Sequence, residues 1–590
     1  MWIKEIFMSN SNRKMTINGV CVCKYRIVYG NGCYPSEKTA AYELAKYIEL
    51  TTSHKLPVTD DTAPAGEYEI AVGKTNREGA EYTIDREKYG HEGYRILTCG
   101  TRLVIAGGVE RGTMYGVYDF IRKYMNWEFY TPTLEKMKSE DDIVIENIDE
   151  DFIPQFEYRD LDWIFARDVV YATKMHLNGP YRKYGKERGG ELKWGGAIHS
   201  LGSYFEGMDS HKEQPCLTNE DNIQTVIKKI EKYMEEHPDC EIFEISQNDN
   251  QNYCKCERCA KLDEENSGGD PRNHSASVVY FINRLAEHFK DKYPKLHFQT
   301  FAYQYSRTAP TNMKLADNVI IKLCPMECCY HHPLYDKDCE ANQLFCRDLE
   351  SWQKIAKKIY IWEYSTNYCY FLSPFANLET QRLNMRWYAE NNVAGVYPEA
   401  NYICESGECA ELRGFLQAKL MWEPYMTKEE YYAYYDEFLQ AYYGSGWKYI
   451  KKFLEWVETE AKKNHMDIWA HPDRIISFEV WKPMLKEIAS WWDEAEKGAK
   501  DDPDTLEHVQ RSRLQFTLIE LTLTWEERFD GQTKESRDEY RRDCMKFYNT
   551  LVLKNIGWRE AYMFPPKVNF SAPPLSWCNA HTYGEPETED

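Results

Sequence analysis

Three acidic residues follow apolar runs of the kind that form strands, and this placement suits catalytic carboxylates. Asp249 lies in the short polar cluster 246–250, whereas Glu363 and Glu399 each follow an apolar run. Two carboxyl groups at one site can divide the chemistry, because one donates a proton while the other attacks or stabilises charge. The alternative for any one of them is a structural hydrogen bond to loop backbone or an ion pair with arginine.

Further polar and aromatic residues follow the predicted strands, and we predict that they contact the substrate. They are Arg159, His176, Asn178, His199, Tyr303, Trp362 and Tyr364. Aromatic residues make up 15% of the chain, with 45 Tyr and 17 Trp. Such rings stack on the apolar faces of sugars while their polar ends bind hydroxyl groups. The competing interpretation is a tyrosine-rich core, and a lone histidine is more often structural than a ligand.

A group of three cysteines, Cys254, Cys256 and Cys259, is the only motif that suggests a metal. Three thiolates within six residues can bind zinc if a fourth ligand folds against them. The candidates for that ligand are Cys324, Cys328, Cys329, His331 and His332. Reduced buried thiols are the alternative, because the paired spacing CxxC…CxxC is absent. We expect a structural role at most, and no cofactor in the reaction itself.

The composition excludes several classes of partner. The net charge of −22 removes the electrostatic driving force for binding a phosphate backbone, so we expect no nucleic acid. No run of about 18 apolar residues is present, so we expect no membrane. Residues 1–7 are interrupted by Lys4 and Glu5, which predicts no secretion signal and a cytoplasmic location. The 19 cysteines are then expected to be reduced. The oligomeric state is left open.

The elements that would position these residues indicate an α/β fold with three domains. Residues 1–150 alternate strands at 25–29, 68–72 and 103–106 with helices at 39–50 and 113–124, and form a small α/β domain. Residues 151–405 are predicted to form a (β/α)8 TIM barrel, and residues 406–590 a helical region. The predicted helices of that region are 410–421, 428–443, 449–460, 479–497 and 504–528.

The barrel prediction depends on eight short apolar runs separated by loops and helical segments. They are 156–160, 174–178, 196–201, 241–246, 297–302, 319–323, 358–362 and 393–397. Catalytic groups of such barrels lie at the carboxyl ends of the strands. We therefore expect Asn248, Asp249, Glu363 and Glu399 to meet at one mouth.

Two parts of the chain resemble known families. The run 103–118, extended by Trp127, Tyr130 and Pro132, resembles the small N-terminal domain of α-glucuronidases and family 20 hexosaminidases. The segments 246–259, 362–364 and 410–424, together with Tyr303, are similar to the bacterial family called domain of unknown function 4838. Some members of that family are assigned to glycoside hydrolase family 163.

These resemblances imply a glycoside hydrolase that acts on an oligosaccharide. Family 163 implies an endo-β-N-acetylglucosaminidase of N-glycan cores, and family 20 implies assistance from the 2-acetamido group of the substrate. Family 20 carries an Asp-Glu pair after the fourth strand, whereas this sequence has Asn248 and Asp249. On this basis Asp249 is predicted as the general acid and Asn248 as a residue that orients the acetamido group. Glu363 or Glu399 is predicted as the second carboxylate.

Two other functions remain open from the sequence. An α-glucuronidase-like exo-hydrolase would need a cation for the uronate carboxylate, from Arg159 or Lys174. A carbohydrate-binding protein without catalytic activity would keep the barrel while its acids are paired off or far apart.

Overall fold

The computed structural model describes residues 13–139, 141–560, 563–565 and 568–577. The chain forms two compact units. The first comprises the residues up to Arg159 together with Ala166–Leu192, and the second comprises Asp160–Phe165 together with the chain from Lys193 onward. The predicted division into 1–150, 151–405 and 406–590 stays a prediction.

The first unit is built around a six-stranded mixed sheet with the order β11-β6-β7-β5-β3-β4. Smaller sheets are formed by β10-β1-β2 and β8-β9. The strands are β1 Met15–Ile17, β2 Val20–Cys21, β3 Arg26–Tyr29, β4 Val58–Asp60, β5 Glu69–Val72, β6 Tyr94–Cys99, β7 Arg102–Gly107, β8 Trp127–Thr131, β9 Leu134–Met137, β10 Ile143–Ile145, β11 Asp149–Phe152 and β12 Tyr158–Arg159. The helices are α1 Pro35–Thr52, α2 Arg86–Tyr89, α3 Gly112–Tyr124 and α4 Val169–Lys174.

Local sequence explains why these elements form where they do. Helix α1 begins at Pro35, whose fixed φ suits a first helical position, and the Glu37 side chain accepts a hydrogen bond from the Tyr34 backbone. Strand β7 meets α3 closely, because a Cβ on Gly107 would lie 2.4 Å from the Gly112 backbone. The predicted strands and helices of this region are confirmed to within a few residues.

The second unit contains a curled parallel sheet with the order β18-β17-β16-β15-β14-β13. Its strands are β13 Trp194–Ala197, β14 Ile242–Ile245, β15 His297–Ala302, β16 Val319–Leu323, β17 Lys358–Tyr364 and β18 Gly395–Glu399. The backbone of Asp160 and Asp162 extends the ladder beyond β18, donating to the carbonyls of Val396 and Pro398 at 3.3 Å each.

Ring contacts across the sheet show how strongly it curls. β13 and β17 are four strands apart, which is about 19 Å in a flat sheet with strands about 4.8 Å apart. The rings of Trp194 on β13 and Tyr360 on β17 nevertheless lie only 6.4 Å apart, between centroids. The sheet therefore curls around a narrow inner space.

The predicted eight-stranded barrel is confirmed only in part. Among the described residues, the predicted strand 174–178 is absent, because helix α4 runs to Lys174 and is followed by a turn. Asp168 caps that helix by accepting the Tyr171 N–H at 2.8 Å, and His176 has a φ of 59°, which no strand allows. The sheet is thus an open parallel half-barrel rather than a complete (β/α)8 barrel.

Helices surround the sheet and make up the rest of the second unit. They are α5 Glu220–Glu236, α6 Glu257–Asn266, α7 Ser275–Phe289, α8 Glu340–Gln353, α9 Leu378–Glu390, α10 Ala410–Trp422, α11 Lys428–Tyr443, α12 Trp447–Ala461, α13 Pro472–Ile475, α14 Phe478–Trp481, α15 Leu485–Ala499, α16 Pro503–Leu523, α17 Trp525–Arg528 and α18 Lys534–Leu553. The predicted helical character of the C-terminal region is confirmed. None of the helices in the described part of the chain is both long and apolar enough to cross a bilayer.

Candidate active site

Alternation along each strand decides which side chains enter the space inside the curled sheet. Lys322 of β16 points inward, since its Nζ lies 5.2 Å from the ring centroids of both Trp194 and Trp362 and 5.8 Å from that of Tyr397. Residues two apart on a strand share a face. Glu399 of β18 therefore lies on the same inner face as Tyr397.

A buried ion pair forms the floor of this inner space. The Lys322 ammonium lies 3.0 Å from Glu244 Oε1, and neither side chain is more than 1% exposed. Gln299 Nε2 and Trp194 Nε1 also donate to Glu244, at 2.5 and 3.2 Å. Burial lowers the pKa of Lys322, while the Glu244 carboxylate opposes that shift. The floor is thus a polar, hydrogen-bonded group, and aromatic rings surround the Lys322 ammonium.

One glycine permits the close approach of β13 and β14. Gly196 has a φ of 73°, and a Cβ at that position would lie 2.0 Å from the Glu244 carbonyl oxygen. Any larger residue would push these strands apart and widen the inner space.

Asp249 lies in the loop after β14, where its carboxylate is exposed. Tyr303, directly after β15, donates a hydrogen bond from Oη to Asp249 Oδ1 at 3.0 Å. Burial, and then the negative charge of Asp249, raise the pKa of Tyr303 well above its usual range, so the phenol stays protonated. Two of the predicted site residues are thereby brought together at the carboxyl edge of the sheet.

Glu399, at the end of β18, is half-buried and accepts a hydrogen bond from Trp362 Nε1 at 2.8 Å. Burial raises the pKa of Glu399 well above its usual range, and the carboxylates of Glu560 and Asp162 add to the shift. The hydrogen bond from Trp362 opposes it without cancelling it. Glu399 is therefore a carboxyl group that keeps its proton at a pH where an ordinary glutamate is ionised.

Tyr303 is the aromatic residue that lies close to both acids. Tyr303 is close enough to both Asp249 and Glu399 for each negative charge to raise its pKa. Burial raises the pKa of Tyr364, and the charge of Glu399 adds to the shift. Asp249, Glu399, Tyr303, Trp362 and Tyr364 thus form one cluster at the carboxyl edge, which we call the inner-face cluster.

His199, just after β13, extends the inner-face cluster on the side of β14. Its ring lies 6.0 Å from that of Tyr303, and its Nδ1 lies 2.8 Å from the Gln247 carbonyl oxygen. A carbonyl only accepts, so Nδ1 carries a proton in this contact. His199 has a φ of 47° and Gln304 one of 52°. Such strained backbone is typical of functional sites.

A late segment of the chain closes the opposite side of the mouth. The Glu560 backbone N–H donates to the Tyr368 carbonyl at 2.9 Å, and the Phe371 N–H donates to the Trp558 carbonyl at 2.9 Å. This segment brings the Glu560 carboxylate close enough to raise the pKa of Glu399, together with burial of that group.

Glu363 does not share the inner space with the other two acids. It lies between Trp362 and Tyr364 on β17, so its side chain points to the helix-covered face of the sheet. There Tyr388 of α9 donates to Glu363 Oε2, and the Tyr364 N–H lies 3.2 Å from Oε1. Burial raises the pKa of Glu363 to about 7. The prediction that Asn248, Asp249, Glu363 and Glu399 meet at one mouth is therefore wrong for Glu363.

Asn248 is fully buried and bonded to backbone rather than directed at a ligand. Its Oδ1 accepts the Gly202 N–H at 2.7 Å, and its Nδ2 donates to the Glu213 carbonyl at 2.7 Å. Both ends of the amide are thus occupied, which gives Asn248 a structural role in joining two loops.

Three predicted substrate contacts lie in the first unit, within a network of buried charges. Arg159 lies 2.6 Å from Glu92, and Asn178 donates to the same carboxylate at 2.7 Å. His176 Nε2 lies 3.4 Å from Asp119. Burial would raise the pKa of Glu92, but the Arg159 and Arg111 guanidiniums outweigh it and lower the pKa. These contacts support a structural role, and a role in substrate binding stays a prediction.

The three cysteines of the sequence motif lie together, with a fourth thiol that was not among the candidates. Cys216 lies 3.7 Å from both Cys256 and Cys259, sulfur to sulfur. The proposed fourth ligands from 324–332 are elsewhere. Cys329 and His332 belong instead to a second group, with Cys339 and His465.

A family model decides the classification of the chain. The model described as domain of unknown function (DUF4838) matches residues 129–455, more than half of the sequence. The chain belongs to the DUF4838 family. A second model, the N-terminus of glycosyl hydrolase family 67, matches residues 23–120. No curated protein sequence matches this DUF4838 protein at a significant level.

Three solved structures align with most of this DUF4838 protein, and the first of them has a TM-score above 0.5. A family GH115 4-O-methyl-α-glucuronidase with specificity for decorated arabinogalactans is 13% identical, with a TM-score of 0.58 over 96% of this chain and 81% of that one. A GH138 enzyme targeting the pectin rhamnogalacturonan II is 10% identical, with a TM-score of 0.41 over 92% and 75% of the two chains. CpGH84B is 12% identical, with a TM-score of 0.44 over 91% and 95%.

Several residues at the mouth of this DUF4838 protein were not predicted from the sequence. Asp162 and Glu560 lie 398 positions apart in sequence, yet both charges raise the pKa of the buried Glu399. No spacing rule connects such distant positions. Lys322 and Glu244, in contrast, could have been predicted from the sequence, because a charged residue inside an apolar strand indicates a buried ion pair.

Proposed function

We propose that this protein is a glycoside hydrolase whose general acid is Glu399. The observation that carries the proposal is a half-buried carboxyl group with a raised pKa, in the same aromatic cluster as the exposed carboxylate of Asp249. Glycosidic cleavage needs a group that protonates the leaving oxygen and a negative charge that stabilises the cationic sugar. Environments that push two carboxyl pKa values apart supply this division.

The assignment of roles differs from the sequence prediction, in which Asp249 was the acid. Asp249 is exposed and accepts a hydrogen bond from Tyr303. Glu399 is held protonated by burial and by two neighbouring carboxylates. Proton donation therefore fits Glu399 better, and the second carboxylate is Asp249.

The substrate that we propose is a β-N-acetylglucosaminide of an oligosaccharide, cleaved with assistance from its own acetamido group. Asp249 can accept the acetamido N–H, and the single Tyr303 hydroxyl proton, which Asp249 accepts in the free protein, can turn to the acetamido oxygen and orient it for attack on the anomeric carbon. Support comes from the resemblance of 246–259 to the DUF4838 family, some members of which are assigned to family 163, and from the hydrogen-bonded pair itself. Trp362 and Tyr364 supply ring faces for the sugar.

An acidic sugar fits the charges less well than a neutral one. The two cations that a uronate was predicted to use are already paired, Arg159 with Glu92 at 2.6 Å and Lys174 with Glu135 at 2.5 Å. Lys322 is paired with Glu244 on the floor of the inner space. The carboxylates of Asp162 and Glu560, which lie close enough to Glu399 to raise its pKa, would repel a uronate.

Kinetics on an N-glycan core oligosaccharide and on an aryl N-acetylglucosaminide test the proposal. Glu399→Gln should lower kcat by about 10²-fold or more on the oligosaccharide, and less on the aryl glycoside, whose good leaving group needs little protonation. Asp249→Asn should slow both substrates. Glu363→Gln is the matched control, because that carboxyl group faces the helices, and it should turn over at nearly the wild-type rate.

The outcomes distinguish the proposed hydrolase activity from the proposed assistance by the acetamido group. A glycoside with a 2-hydroxyl group that is cleaved as fast as its 2-acetamido counterpart would refute acetamido assistance and leave the hydrolase intact. Binding of the oligosaccharide without any turnover would refute the hydrolase and establish a carbohydrate-binding protein.

A further inference from the structure

We propose that the chain binds two structural zinc ions in two separate tetrahedral sites. The four-thiol site consists of Cys216, Cys254, Cys256 and Cys259. The thiol–imidazole site consists of Cys329, Cys339, His332 and His465. Within each group, the potential ligand atoms all lie within 4.8 Å of one another.

Distances in the four-thiol site match a zinc tetrahedron. Zinc–sulfur bonds of about 2.3 Å in tetrahedral geometry place neighbouring sulfurs about 3.8 Å apart. Cys216 Sγ lies 3.7 Å from the sulfurs of both Cys256 and Cys259. A disulfide would require about 2.05 Å, so these thiols are not bonded to each other.

The local fold of the four-thiol site is also that of a metal site. Cys256 is the cap residue of α6 and Cys259 lies in its first turn, so the helix presents two thiols from one C-x-x-C step. The Thr218 hydroxyl lies 3.2 Å from the Cys259 sulfur and supports it from outside the ligand set. A metal here would tie the loop after β14, which carries Asp249, to the loop before α5.

The thiol–imidazole site has the corresponding mixed geometry. A tetrahedral zinc ion with bonds of about 2.3 Å to sulfur and about 2.0 Å to nitrogen places those atoms about 3.5 Å apart. Cys329 Sγ lies 3.3 Å from His332 Nδ1, and Cys339 Sγ lies 3.7 Å from His465 Nδ1. The sulfur–nitrogen distance expected for zinc lies between these two values. The imidazole rings lie 4.8 Å apart, between centroids.

Supporting hydrogen bonds hold the ligands of the thiol–imidazole site in place. The Met466 N–H points to the Cys329 sulfur at 3.5 Å, and the Asn342 side chain accepts the Cys329 N–H at 2.7 Å. The Tyr330 N–H donates to the Met466 carbonyl at 2.8 Å. Both cysteines are buried while His465 is exposed at the surface. A metal here would join the loop after β16 to the loop after α12.

The donor sets favour zinc, and they favour a structural role. Four thiolates, or two thiolates with two imidazoles, are the ligand sets of closed tetrahedral zinc sites. Four protein ligands leave no position open for water or substrate, so neither ion would take part in bond cleavage. The two sites rest on separate residues, so each can succeed or fail independently of the other and of the proposed hydrolase.

Metal analysis of the full chain, purified without chelators from zinc-supplemented cells, tests both sites. The wild-type protein should contain about two equivalents of zinc. Cys256→Ser and His465→Ala should each lose one equivalent and keep the other, because each removes a ligand of one site only. Cys33→Ser and His211→Ala are matched controls outside both groups and should keep two.

A second measurement uses the wild-type protein alone and therefore tests both sites even where a variant fails to fold. In the wild-type protein, the six cysteines of the two sites should resist alkylation, and a chelator should make these six selectively reactive, as located by mass spectrometry. Cobalt substituted for zinc should give the absorption spectrum of tetrahedral thiolate sites. Wild-type protein with less than half an equivalent of zinc, or equal alkylation with and without chelator, would overturn the proposal.

Discussion

Tyr303 donates a hydrogen bond of 3.0 Å to the carboxylate of Asp249 and thereby joins the ends of two neighbouring strands. β14 and β15 are paired in parallel, so the residues that follow them emerge at the same edge of the sheet. Because burial and the charge of Asp249 raise the pKa of Tyr303, the phenol remains a donor throughout the working pH range of the protein. The pair thus connects two neighbouring strand ends within the inner-face cluster.

Removing the Tyr303 hydroxyl should impair catalysis through Asp249. We expect Tyr303→Phe to lower kcat/KM by about 10-fold or more, the scale of a lost hydrogen bond to a charged group. In the Asp249→Asn background the same change should cost much less, which a double-mutant cycle measures. Tyr305→Phe is the control, because the described contact of that ring is with Tyr253. Equal costs in both backgrounds would show that Tyr303 acts independently of Asp249.

The pH profile should report the environment of Glu399. Activity should fall as pH rises through the pKa of this acid, and the raised pKa places that alkaline limb above the range of an ordinary glutamate. Glu560→Gln removes a negative charge that raises this pKa, so the limb should move to lower pH. Glu539→Gln, a control on α18, should leave the limb in place. An unmoved limb in Glu560→Gln would exclude Glu399 as the titrating acid.

Stability should depend on pH through Glu363, whose pKa is about 7 against an ordinary value of 4.5. The folded state holds a proton that the unfolded state releases between these values, so this contribution is full below pH 4.5 and is lost as pH rises through about 7. The shift corresponds to about 3 kcal/mol. Glu363→Gln should remove the loss, because the amide stays neutral.

Denaturant unfolding of wild type and Glu363→Gln at several pH values measures this effect. The difference between the two free energies of unfolding should grow in favour of the variant from pH 5 to pH 8. The neighbouring hydroxyl can still donate to the Gln oxygen, so the contact with Tyr388 is kept. A difference that does not change with pH would contradict the raised pKa.

Asn248→Ala should destabilise the protein without changing its preference among sugars. The substitution removes the acceptor of the Gly202 N–H and one of the two donors to the Glu213 carbonyl, which keeps Asn250 Nδ2 at 3.2 Å, and should cost about 2 kcal/mol of unfolding free energy. The ratio of kcat/KM between 2-acetamido and 2-hydroxy glycosides should stay at the wild-type value. A selective loss on the acetamido substrate would restore the role predicted from sequence.

Breaking the buried ion pair from one side should be far more harmful than removing it whole. Lys322→Met leaves the Glu244 carboxylate without its cation and should cost about 3 to 5 kcal/mol. Adding Glu244→Gln removes the remaining charge and should recover most of that loss. Denaturant unfolding of the single and double variants measures both values, and an additive loss would contradict the ion pair.

Local sequence patterns predicted the strands of the parallel sheet better than the full barrel. β15 and β16 coincide with their predicted ranges, because each is an apolar run bounded by polar residues. The predicted strand 174–178 failed, since Asp168 caps a helix whose last turn ends there. The capping side chain was visible in the sequence, but its competition with an apolar run is decided only by packing.

The site was predictable where one strand decides it and unpredictable where two distant segments meet. Alternation along β17 already places Trp362 and Tyr364 on one face and Glu363 on the other. The pairing of Tyr303 with Asp249 follows from adjacent strand ends. Cys216 lies 38 positions before Cys254, and no local pattern connects it to that thiol.

The segment around Glu560 determines how far along the chain the residues needed for the candidate site extend. The recognisable family segment stops at residue 455, before both His465 and Glu560. Yet Glu560 helps to set the proton affinity of the candidate acid, and the backbone of its segment is bonded to the loop after β17. A shortened chain that ends at the family boundary would keep the sheet and lose one wall of its mouth. The smallest portion that can be expected to act alone therefore extends about a hundred residues beyond the family boundary, to Glu560.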